Sequence, residues 1–238
     1  MWTPRWHRPP EMPVALLGEA CWPEVPANTL VVPLGSLEQH GPHLPMDTDT
    51  RIAEAVARRV AEAQSNVVVA PPLGYGASGE HEGFPGTVSI GSNALRDVVM
   101  ELVRSATRTF PRVVLVSGHG GNLDGVRAAL TGLRPERRDV VAWFAAVPRG
   151  DAHAGRTETS LMLALAPHLV RGLPWATGPT APLRELMPRL RSHGVAEVSP
   201  SGVLGKPAGA TAAEGEHLLQ RLAAQLAPLV RPRQRSTA

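Results

Sequence analysis

The chain is 238 residues long, 43% hydrophobic and 19% charged, the composition of one globular domain rather than of a disordered polypeptide. Its formal net charge is +3, and Arg231, Arg233 and Arg235 account for that excess, so the body is neutral, with one tyrosine and no basic stripe, a poor footprint for nucleic acid. The longest apolar run, Val140 to Val147, is far below the roughly 18 to 20 residues of a membrane span, the start carries no secretory pattern and the single Cys21 excludes an intrachain disulfide; no nucleic-acid or membrane partner is expected, and the expected compartment is the cytoplasm.

In chain order, residues 1–28 are broken by Pro9, Pro10, Pro13, Pro23 and Pro26 and read as an N-terminal arm, which could reach across a subunit interface. The domain is expected over 29–230, followed by a basic tail at 231–238. Thr29 to Leu34 is a short β-rich run. From Asp49 to Gln64 the apolar residues Ile52, Val56 and Val60 recur at helical spacing. Asn66 to Ala70 predicts a second strand, and Pro71 to Ser92 a long Gly-rich loop, a length that in a compact domain marks either function or a missed element. Leu95, Val99 and Val103 make the next helix face and Arg112 to Ser117 the next strand, after which Asn122 is placed to cap a helix reaching Leu133. Val140 to Val147 suits a strand buried on both faces, and Thr157 to Ala166 a helix. The Pro/Gly-broken stretch from Arg171 to Gly209 predicts no element, and Thr211-Ala-Ala-Glu214 opens a last amphipathic helix with a capping-box pattern. Strands alternating with helices imply a single α/β domain, a mainly parallel sheet layered between helices.

Ligands of such sheets collect beyond the carboxyl ends of the strands. Two predicted strand ends run directly into dense polar clusters: Glu38, His40, His43, Asp47 and Asp49 after the first, His119 and Asn122 after the third. Glu38, His40 and Asp49, joined by His119 and Glu158 from other loops, offer an O/N ligand set, the other reading being histidines hydrogen-bonded as structural residues at strand ends. Three carboxylates brought together without a cation must raise their pKa values or repel, at a cost of several kcal/mol. Two divalent ions relieve that, and with no thiolate in the set Zn²⁺ is the first expectation, Mn²⁺ or Fe²⁺ the others. Such a pair activates water and polarises a carbonyl, the apparatus for hydrolysing an amide.

The runs Gly35-Ser-Leu-Glu38-Gln-His40-Gly-Pro-His43-Leu-Pro-Met-Asp47-Thr-Asp49, Gly118-His119-Gly120-Gly121-Asn122 and His153-Ala-Gly-Arg-Thr-Glu158 resemble, in order and separation, the three motifs of the creatininase family. The resemblance covers roughly residues 28–170. It implies a metal-dependent amidohydrolase of layered α/β/α fold and homo-oligomeric assembly, with Glu38 and His119 holding one ion, His40 and Glu158 the other, and Asp49 bridging. Where creatininase itself has carboxylates, this chain has Gly121 and Ala152, which argues against creatinine as substrate and leaves His153 as acid/base or oxyanion-stabilising group, the other reading being a structural histidine.

Within the family, Leu44-Pro-Met-Asp47-Thr-Asp49-Thr-Arg51 and the loop Tyr75 to Thr87 look most like the branch that trims a radical-modified precursor peptide near its C-terminus, releasing a Val-Tyr-derived fragment. In that loop Glu80, His81 and Glu82 are expected to wall the substrate, the other reading being a solvated acidic loop; Gly120 and Gly121 could receive a carboxylate or oxyanion. His43 and Asp47 read either as partners supporting the ligands or as surface residues, and Asn122 as a further supporting residue. The same apparatus could instead act on a small cyclic amide or a formamide, and a third account is a non-catalytic subunit of an oligomer.

Overall fold

The computed structural model describes residues 15–231. Five strands form one sheet in the order β1-β3-β2-β4-β5, with every pairing parallel: β1 is Ala15–Leu16, β2 Thr29–Leu34, β3 Val67–Val69, β4 Arg112–Ser117 and β5 Val140–Phe144. The alternation of strand side chains sorts the core into two layers. Val31, Val67, Val69, Val114 and Val116 face α1 (Thr48–Ala63), α4 (Arg156–Leu165) and α6 (Ala212–Leu226), while Leu30, Val32, Val68, Val113 and Leu115 face α2 (Gly91–Ala106) and α3 (Leu123–Leu133). Fully burying one such Val or Leu is worth about 1.5–3 kcal/mol, so both helical layers are held by the same few strands. The expected α/β/α sandwich is what forms.

Three local expectations are revised. β5 is not buried on both faces. It lies at the sheet edge with every residue half-buried, because its apolar run fixes a strand but not its lateral position. The stretch from Arg171 to Gly209 contains a helix, α5 (Leu183–Val198), hidden from the sequence by Pro188 within it and by a kink at Gly194, whose φ is 76°. Of the expected arm, residues 1–14 lie outside the described residues, while Ala15–Leu16 adds a strand to the sheet beside β3 and Leu17 packs against the α2/α3 layer. That part of the chain belongs to the domain's own sheet. Of the tail, only Arg231 is described.

The site is aligned by strand register. β2 pairs with β4 from Thr29↔Arg112 to Leu34↔Ser117, and Ser117 lies opposite Phe144 of β5, so three neighbouring strands stop at one level. Gly118 permits the next step: a Cβ there would collide with the main-chain carbonyl of Asp49, so its absence lets the first turn of α1 settle against the end of β4.

Candidate metal centre

All the chemistry-bearing residues come from the carboxyl edge. The β2–α1 loop supplies Glu38 and His40, and the first turn of α1 supplies Asp49. The β4–α3 loop brings His119, the segment after β5 brings His153, and the first turn of α4 brings Glu158. Nε2 of His119 lies 3.2 Å from Oε2 of Glu38, and its Nδ1 lies 3.2 Å from Oδ2 of Asp49. Nε2 of His40 is 3.3 Å from the other Asp49 oxygen. Donor atoms of Glu38, His40 and Asp49 lie within 4.8 Å of one another, and so do those of His40, His153 and Glu158. The five residues expected as ligands therefore meet, with Asp49 in the middle.

Glu38 is fully buried, and neither of its carboxylate oxygens has a hydrogen-bond partner among the described residues, although imidazole nitrogens stand 3.2–3.3 Å away. A buried carboxylate left in that state is costly unless a cation completes it. Burial opposes the charge on Glu38, but the His119 imidazole outweighs it, with His81 adding to the effect, and the pKa is held down at about 2. Asp49, against the same penalty, is held well below the usual range by His40 and His119. The imidazoles respond in kind. Burial works against a proton on His40, yet Asp49 lifts it to about 10, and Glu38 and Asp49 lift His119 well above its ordinary value. Burial raises Glu158 to about 7. Left alone, the cluster recruits protons to balance its carboxylates. Two imidazoles, three carboxylates and no thiolate fit divalent cations in that role, and the residues present accommodate such ions.

Nothing in the sequence singles out Ser36, and the expected supporting residues divide in their roles. The Ser36 hydroxyl donates to Oδ2 of Asp49 at 2.7 Å. His43 is buried against Thr159, its Nε2 2.9 Å from Oγ1, and so steadies the residue next to Glu158 rather than touching a ligand. Burial, then His40, pushes the His43 pKa down to about 4. Asn122 does not cap α3 with its side chain. Instead its Oδ1 accepts from the Ala77 N–H while its Nδ2 donates to Gly35 carbonyl and Ser117 Oγ, tying three loops together. Asp47 faces away: it is partly exposed and accepts from Nε of Arg51 at 2.7 Å.

The β3–α2 loop reaches deeper than a wall. His81 is buried with Nε2 3.3 Å from Oε1 of Glu38, and Oε1 of Glu80 lies 3.6 Å from Nε2 of His119, whereas Glu82 is exposed. Burial raises Glu80 above the ordinary carboxylate value and lowers His81 to about 4. Gly121 makes room for this loop: a Cβ there would sit 2.5 Å from Oε1 of Glu80 and 2.6 Å from the Ala77 carbonyl. Gly120 faces open space. His153 is buried, its Nε2 2.8 Å from the main-chain oxygen of Gln39; burial, then His40 and His81, pushes its pKa well below the ordinary value.

A parallel sheet covered on both faces, with buried imidazoles and carboxylates converging at its carboxyl edge, is an arrangement suited to a metal-dependent hydrolase. Comparison with known proteins is specific. The family model described as "Creatininase: Creatinine amidohydrolase" matches residues 18–230, and the chain belongs to the creatininase family. It is 56% identical over 198 residues to the "Mycofactocin precursor peptide peptidase" of Mycolicibacterium smegmatis (strain ATCC 700084 / mc(2)155), covering 81% of this chain and 80% of that one. It is 49% identical over 216 residues, 86% of each chain, to the protein of the same description in Mycobacterium tuberculosis (strain CDC 1551 / Oshkosh). A solved structure described as "Creatininase Mn" superposes with a TM-score of 0.70 at 29% identity over 92% of this chain and 100% of that one. A creatininase variant described as of "Zn-Zn type" gives the same TM-score and identity over 93% and 100%. The chain is thus a hydrolase acting on amide bonds. No helix among the described residues is long and apolar enough to cross a membrane.

Proposed function

We propose that this chain is a peptidase of mycofactocin maturation, hydrolysing an amide bond near the C-terminus of a radical-modified precursor peptide and releasing the Val-Tyr-derived fragment. The observation that carries the reading is the buried, hydrogen-bond-orphaned Glu38 within an imidazole–carboxylate cluster. High identity to peptidases of that description supports the choice of substrate.

Two divalent cations are the proposed cofactors, Zn²⁺ first and Mn²⁺ or Fe²⁺ as alternatives; bound here they would polarise the scissile carbonyl and make water acidic enough to attack it. Glu38 and His119 would hold one, His40 and Glu158 the other, and Asp49 both. Ser36 orients the Asp49 carboxylate through its 2.7 Å hydrogen bond. His153, held at Nε2 by a main-chain carbonyl, turns Nδ1 toward the cluster and is placed to carry a proton to the leaving amine. Glu80 and His81 stand beside the cluster, and exposed Gly120, which faces open space, leaves room for an extended peptide backbone, whereas the space at Gly121 is filled by the Glu80 loop. The half-buried apolar edge at β5 is consistent with a homo-oligomer.

The test is direct. Elemental analysis of purified protein is expected to find up to two ions per chain, and incubation with the modified precursor peptide to release the terminal fragment by mass spectrometry. An intact peptide together with ring-opening of a small cyclic amide would overturn the substrate assignment.

A further inference from the structure

Gln39 sits between Glu38 and His40, yet its side chain turns away from them, buried among His81, His153 and Gly202. The two ends of an amide are told apart by their partners, and here two main-chain groups of fixed polarity decide. The Gly41 N–H donates to Oε1 at 2.8 Å, and the Gly202 carbonyl accepts from Nε2 at 3.1 Å. One amide proton is thereby used. The other faces Nδ1 of His81, 2.9 Å away, and Nδ1 has to accept it. The proton of a neutral His81 is therefore on Nε2, the atom 3.3 Å from Oε1 of Glu38, while a doubly protonated ring would set one N–H against another.

His153 is fixed differently. Its Nε2 lies 2.8 Å from the main-chain oxygen of Gln39, which can only accept, so Nε2 carries the proton. The 3.0 Å approach between that nitrogen and Nε2 of Gln39 is then a contact between two donors. The bare nitrogen is Nδ1, the atom turned toward Glu38 at 3.9 Å.

We propose that Gln39 is a positioning residue that gives two neighbouring histidines opposite roles: its side chain makes His81 present an N–H to the cluster, and its main-chain carbonyl makes His153 present a lone pair. A ligating imidazole needs its lone pair toward the metal and its N–H toward an acceptor. His81 has the reverse arrangement. The grouping of Glu38, His81 and His153, though at ligand spacing, therefore does not hold an ion through Nε2 of His81. Gly202 belongs to the device, since its φ is +77° and a Cβ there would overlap the Gln39 amide. The catalytic value of the two rings rests on the amidohydrolase reading; the position of their protons does not.

The full chain, zinc-loaded and ¹⁵N-labelled at histidine, tests this by long-range proton–nitrogen NMR, with the His81 and His153 signals identified by their loss in His81→Asn and His153→Asn. Both rings are expected to carry the proton on Nε2. In Gln39→Met, His81 is expected to gain an Nδ1–H population while His153 is unchanged, and kcat to fall about tenfold or more with KM nearly constant and metal content intact. His81→Asn is expected to keep the wild-type metal content. A wild-type His81 protonated on Nδ1, or loss of an ion from His81→Asn, overturns the proposal, and both readings survive a Gln39→Met variant that fails to fold. Two Nε2 protons in a chain that cleaves no amide would uphold Gln39's role and sink the functional reading alone.

Discussion

Glu158 enters the cluster from the first turn of α4, its Oε2 receiving the Ala154 N–H at 2.5 Å and its pKa raised to about 7 by burial. Glu158→Gln preserves size and removes the charge, so it is expected to lose one of two ions and at least about a hundredfold of amide hydrolysis; full occupancy with unchanged turnover, by elemental analysis and rate measurement, would end its role. Gly121→Ala is expected to cost about 1–3 kcal/mol of stability, because the main-chain carbonyl of Ala77 cannot yield to the new methyl group, and to weaken metal retention by pushing Glu80 or His119 aside. Thermal melting and a chelator titration measure both effects, and a variant matching the parent in each would refute the packing argument. At this scale the meeting of Glu38, His40, Asp49 and His119 was readable because they sit in polar runs that follow strand ends, whereas Glu158, well past the end of β5, was reached only through the family resemblance. Asp47 was not readable. Two residues before Asp49 it would share a face in an extended chain, but α1 starts at Thr48, and helical rotation of about 100° per residue turns the two apart. Gln39 was passed over because an amide has no charge or ligand signature. Its importance lies in the partners that surround it, and these include Gly202, far along the chain.

Among the elements, those with strong periodicity were legible to within a residue or two: α1 from Ile52, Val56 and Val60, β4 at Arg112–Ser117, α4 one residue out at each end. Thr211 caps α6 as its sequence implies, accepting the Glu214 N–H at 3.1 Å, but the Glu214 side chain leaves the box to join Arg156 and Ser160, coupling α6 to α4. Thr211→Ala is expected to cost about 1 kcal/mol, read as a lowered melting temperature with metal content unchanged; an unchanged melting temperature would show the cap to be redundant with the Arg156 pairing. α5 was illegible for a physical reason. Pro188 and Gly194 spoil its local pattern, and it is held by tertiary burial of Leu186, Leu190 and Val195 against Phe84 and Leu204, contacts that bring it over the His81 loop. The edge position of β5 likewise depends on which strands pair, and an apolar run carries no such information.

For the molecule as a whole, the proposed cations would compete with protons for the same nitrogens. Without metal, His40 has its pKa lifted from 6.5 to about 10, so its contribution to stability is complete below 6.5 and is lost as pH rises through 10. Ions bind deprotonated imidazole, so their stabilising effect grows over that same interval. The gap in melting temperature between loaded and chelator-treated protein is therefore expected to widen as pH is raised from 6.5 toward 10; a gap that narrows would mean that His40 is not a ligand. The cluster draws on every strand-end loop from the one after β2 to the one before α4, and its geometry depends on the register that aligns the ends of β2, β4 and β5. The proposed ligand set is therefore complete only when the polypeptide from β2 to α4 is in place, so a chain ending before Glu158 would lack one of its proposed ligands.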